Sequence, residues 1–149
     1  MIRSRRQQGL ATIPTVIALT ILVLAVGVGI TSLSLSESFV TLGQDYSTRA
    51  LFYAEAGAKD ALVRLARKKN YVCSTTDCYS INMVSNGCST NDGCAKVTVS
   101  SGVGSIADPK IITSTGQVKT STRKVQVNVV FDSAMFGEIA TASWQELTN

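Results

Sequence analysis

The chain has 149 residues, with 14 lysines and arginines, 10 acidic residues and no histidine. Three of the basic residues, Arg3, Arg5 and Arg6, lie at the N-terminus, and without them the formal net charge falls from +4 to +1. The charge balance therefore predicts no nucleic-acid partner. The lack of histidine removes the commonest general base and metal ligand, which argues against an enzyme. The length suits one membrane helix and one small domain.

An uncharged stretch, residues 7–36, follows the arginines. Its apolar centre, residues 10–30, matches the ~20 residues that a helix needs to cross a hydrocarbon layer of ~30 Å. Because positively charged flanks are retained on the cytoplasmic side, we expect the N-terminus inside the cell and residues 37–149 outside. The sequence thus predicts a single-pass protein whose membrane helix comprises residues 10–36.

Three interpretations of this N-terminus compete. A secretory signal peptide has the same basic start, but its apolar region is usually ~7–15 residues long, and here only Ala25-Val26-Gly27 would serve as a cleavage site. An uncut single-pass anchor fits the length of the span. The third interpretation depends on residues 5–10, RRQQGL, where a short basic and polar leader ends in a glycine directly before the apolar run.

This leader resembles that of type IV prepilins and pseudopilins. A second segment, RALFYAEAGAKDALVRL at residues 49–65, is similar to the helix of PilX-type minor pilins, and the resemblance covers the N-terminal half of the chain. It implies that a membrane peptidase removes residues 1–9 by cutting between Gly9 and Leu10, and that Leu10 becomes a methylated N-terminus. The implied partners are other pilin subunits, met through the N-terminal helix, the prepilin peptidase and the pilus assembly platform. The implied location is first the cytoplasmic membrane and then a cell-surface filament.

The chain departs from the family at one position. Most pilins have a glutamate as the fifth residue after the cut, where it is thought to meet the N-terminal amine of a neighbouring subunit, and this chain has Pro14 there. The departure favours a minor or initiating subunit over a bulk subunit. As a helix residue, Pro14 is best tolerated in a first turn, where its missing N–H costs little.

From Leu35 apolar residues recur at steps of three or four, which predicts that the uniformly apolar helix continues as an amphipathic one. A single helix is thus expected from near Ile13 to Lys69. Gly57 interrupts this stripe and weakens the helix by ~1 kcal/mol relative to Ala, unless it allows another backbone to approach closely. Gly27 and Gly29, inside the span, have two interpretations: close helix packing in the membrane, or a point where the helix unwinds in a filament. The predicted stripe consists of Leu35, Phe39, Leu42, Tyr46, Ala50, Tyr53, Ala61 and Leu65.

Four cysteines follow, Cys73, Cys78, Cys88 and Cys94, in a segment predicted to be exported. Two disulfides are the simplest interpretation, because small external domains use them to replace core. Three connectivities exist, and the short polar loops favour the local pairing of Cys73 with Cys78 and of Cys88 with Cys94. Zinc is the alternative, although neither pair has CxxC spacing.

Beyond Cys94 the apolar period becomes two, which predicts antiparallel strands around residues 95–99, 112–118 and 125–129. The expected fold class is α+β and pilin-like: a long N-terminal helix, membrane-spanning in its first half, packed on a small antiparallel sheet with disulfide loops. Residues 133–149 fit either a short helix or a final strand.

Little in the sequence indicates chemistry. Asn91, Asp92 and Gly93 together with Asp77 could form a calcium loop, but a turn bounded by a disulfide explains the same residues. We expect no catalytic residue, metal or cofactor. The predicted function is a structural subunit, minor or initiating, of a type IV pilus or related secretion filament. The alternative is a membrane-anchored extracellular binding domain that does not polymerise.

Overall fold

The computed structural model describes residues 12–132 and 138–147, without the side chains of residues 12 and 32–35. The chain divides into two compact units, Met1–Leu42 and Gly43–Asn149. Helix α1 (Thr12–Arg67, 56 residues) contributes to both units. The prediction of one long helix ending near Lys69 is confirmed.

A five-stranded antiparallel sheet follows the helix. Its strands are β1 (Tyr79–Asn82), β2 (Cys94–Val99), β3 (Lys110–Val118), β4 (Ser121–Phe131) and β5 (Ile139–Leu147), and they lie in this order across the sheet. The sequence predicted the three central strands. It did not predict β1, and it left the segment that contains β5 undecided between a helix and a strand. A short helix, α2 (Gly87–Thr90), precedes β2.

The second unit is α+β, with α1 packed on one face of the sheet. Burial alternates along β3, where every second residue from Lys110 to Val118 is buried, as expected for a strand with one covered face. The core between the helix and the sheet consists of Ala54, Ala58, Ala61, Leu65, Cys73, Val97, Val99, Ile112, Val125, Val127 and Val129. Each valine or isoleucine that packs there contributes about 1.5–3 kcal/mol relative to remaining exposed.

The helix and the sheet approach each other closely at two glycines. A Cβ atom on Gly57 would lie 2.5 Å from the Ser114 hydroxyl oxygen and 2.9 Å from a methyl carbon of Val97. A Cβ atom on Gly116 would collide with the backbone of Ala50 and Ala54. Gly57 therefore allows the helix and the sheet to pack closely, and this packing compensates for the ~1 kcal/mol by which glycine weakens a helix relative to alanine.

The buried stripe of α1 differs from the predicted one. Phe39 and Leu42 are 73% and 50% exposed, whereas Ala54 and Ala58, which the prediction omitted, are fully buried. The reason is that the sheet covers only the part of the helix from Ala50 onward, and it covers that part so closely that small side chains fit best.

We predict that Gly57→Ala lowers the free energy of unfolding of the second unit by about 1–3 kcal/mol, because overpacking at Ser114 and Val97 outweighs the gain in helix propensity. Gly43→Ala is the matched control: Gly43 lies in the same helix with no described atom within 4 Å of an added Cβ, so the variant should be neutral or more stable by about 1 kcal/mol. Urea unfolding of the full chain in detergent, followed by fluorescence of Trp144, measures both. Equal effects of the two substitutions would contradict the close approach.

Candidate functional site

The N-terminal half of α1 presents a continuous apolar surface to its surroundings. The large apolar side chains between Ile13 and Ile30 are each at least half exposed. By length and composition this is a helix that could cross a membrane, and none of its apolar segment is buried by the described part of the chain. Contact of so many apolar side chains with water is unfavourable, which agrees with a helix of the membrane-spanning type.

Polar side chains within this segment bond to the helix itself. The hydroxyl of Thr20 donates to the carbonyl of Ile17 at 2.8 Å, and the hydroxyl of Thr31 donates to the carbonyl of Gly27. Such internal bonds suit a hydrocarbon environment, where a polar group without a partner costs several kcal/mol. Cβ atoms added to Gly27 and Gly29 would meet no described atom within 4 Å, so the two interpretations of these glycines remain open.

The predicted processing residues, Gly9 and Leu10, lie outside the described residues. Pro14 lies near the start of the described helix. The processing interpretation therefore stays a prediction from sequence.

Large apolar side chains remain exposed beyond the span. Phe39 and Val40 are 73% and 58% exposed, and in the part of the helix that packs on the sheet Phe52 and Val63 are 61% and 49% exposed. Phe52 and Val63 point away from the core of the second unit. Isolated apolar side chains on a surface are common, so this exposure by itself assigns no partner.

The cysteines form two local disulfides, Cys73 with Cys78 and Cys88 with Cys94, as the loop lengths favoured. The first disulfide joins the residues that follow α1 to the residues before β1. The second joins α2 to the start of β2. The first bridge therefore closes the loop before the edge strand β1, and the second closes the loop between α2 and β2, where a small domain has little core to hold such loops.

The acidic residues of the suspected calcium loop have other partners. Asp77 accepts a bond from the ammonium of Lys96 at 3.0 Å, and Asp92 pairs with Lys119. The hydrogen bond from Lys119 holds the pKa of Asp92 below its ordinary value. Within residues 12–132 and 138–147, no three carboxylate or cysteine side chains come together as a metal site would require.

Lys110 is a buried cation that the sequence did not reveal. Its side chain is 3% exposed, and its ammonium donates to the carbonyl oxygens of Tyr71 and Ser100, each at 3.3 Å. Burial lowers its pKa. Lys110 is the first residue of β3, and nothing in the neighbouring sequence distinguishes it from a lysine exposed on the surface. Its role is to hold the segment after α1 against the loop between β2 and β3.

A second cluster of polar groups connects α1 with β1. Arg64 bonds to Asp60 at 2.7 Å and places its guanidinium 4.3 Å from the centre of the Tyr79 ring. Burial, followed by the nearby carboxylate of Asp60, raises the pKa of the Tyr79 hydroxyl. The i,i+4 pair of Asp60 and Arg64 is local to the helix, whereas the contact with Tyr79 depends on the position of β1.

A cavity of about 740 Å³ lies beside the C-terminal end of α1. One wall is the loop of residues 101–109, which is held by bonds from the N–H groups of Val103, Gly104 and Ser105 to Asp108. The loop exposes Val103 and Ile106 by 74% and 90%. Lys69 and Asp132 are the charged residues of the lining, so it holds one charge of each sign and favours neither anions nor cations.

We predict that Lys119→Met raises the pKa of Asp92 toward 3.8, because the principal bond that stabilises its carboxylate is lost. The pairing stabilises the fold above that value, and the stabilisation is lost as the pH falls through the lowered pKa. Carboxyl NMR titration of the full chain in detergent measures the change, with Lys124→Met, on the β4 strand that follows the turn of Lys119, as the matched control.

The same titration tests calcium. We expect millimolar Ca²⁺ to leave the Asp77 and Asp92 signals in place, because both carboxylates already have lysine partners. A saturable shift of both signals on adding Ca²⁺ would contradict this assignment.

Comparisons with known proteins add no relative. No protein-family model, no curated protein and no solved structure matches the chain.

Proposed function

We propose that this chain is a structural subunit, minor or initiating, of a type IV pilus or a related secretion filament. The single observation that carries the proposal is the division of α1 between two environments. Its N-terminal half exposes apolar side chains that the described chain does not cover, and its C-terminal half is buried against an antiparallel sheet. A subunit that leaves a membrane and enters a helical filament needs both halves in one element.

The apolar half has a physical role in each state. In the membrane, lipid surrounds the side chains between Ile13 and Ile30. In a filament, the helices of neighbouring subunits take the place of lipid, so transfer from one to the other changes the apolar environment little. Phe39, Val40 and Phe52, which lie beyond the span, gain cover only on assembly, and their burial favours the filament over the membrane.

The leader supports the same proposal from the sequence. Residues 3–9 end in Gly9 directly before the apolar run, and a glycine gives a protease an unobstructed backbone. In this proposal the prepilin peptidase cuts before Leu10, the new N-terminus is methylated, and the assembly platform draws the subunit into the filament. The head formed by residues 37–149 would then lie on the filament surface.

The alternative is a membrane-anchored binding domain that does not polymerise. The exposed loop of residues 101–109 and its cavity favour this alternative, because apolar side chains as exposed as Ile106 suit a binding surface. The two functions differ in what happens at the N-terminus, since an anchor needs no cut before Leu10.

We predict that the mature protein begins at Leu10 and that Gly9→Val blocks the cut, because the added branched side chain obstructs the peptidase. Gly43→Ala, far from the leader, should be processed normally. Intact mass and N-terminal sequencing of membrane-extracted protein measure the result. A mature chain that keeps Arg3 would support the uncut anchor, and one that starts after Gly27 would support a signal peptide.

We further predict a low content of this chain in filaments, because Pro14 supplies no carboxylate to a neighbour's N-terminal ammonium. A buried ammonium without a partner costs several kcal/mol, and a subunit at the tip avoids that requirement. Pro14→Glu should raise the content of the chain in sheared filaments, whereas Pro14→Ala should not. Quantitative mass spectrometry measures both, and dominance of the unaltered chain would refute the minor role.

A further inference from the structure

We draw no further inference here: the strongest candidate, the cavity beside the C-terminal end of α1 with its exposed loop of residues 101–109, has Asp132 in its lining, directly before residues 133–137 outside the described part of the chain, and nothing in the structure shows what covers its apolar side chains.

Discussion

The close contact between α1 and the sheet is the interaction on which the second unit depends. Alanine and glycine on the helix let valine side chains of the sheet reach the helix backbone, so the contact has little free space. At Gly116 the opposing atoms belong to the backbone of Ala50 and Ala54, which cannot move aside as a flexible side chain can. The backbone contact at Gly116 and the side-chain contacts at Gly57 therefore restrict how the helix lies on the sheet.

Polar groups reinforce this contact at its margins rather than in its centre. Lys110 holds the segment after the helix from one side, and Arg64 covers the ring of Tyr79 on the other. Inside the contact, the Ser114 hydroxyl has no hydrogen-bond partner among the described groups. Its small volume, rather than its polarity, accounts for its position beside Gly57. The interface is thus specified by shape first, and the charged residues secure the loops that border it.

The described chain leaves large apolar side chains of α1 exposed on both sides of Gly43, including those between Ile13 and Ile30 and that of Phe52. The sheet itself is also incompletely covered, since β5 lies beyond the helix with both faces exposed. The described residues therefore leave two features uncovered, the apolar side chains along the N-terminal half of α1 and the side chains of β5.

The sequence by itself determined the elements whose signals are local. The uncharged run of residues 7–36 exceeds any requirement of a small soluble core, and the alternation in β2, β3 and β4 follows from having one buried face. The local disulfides followed from short loops. Only the tertiary structure showed which side chains of α1 are buried. Ala54 and Ala58 are buried because the sheet lies so close to the helix that only small side chains fit between them. The tertiary structure likewise decided that β5 is an edge and that Lys110 is buried, because edge position and burial arise from neighbours distant in the chain and leave no periodic trace within it.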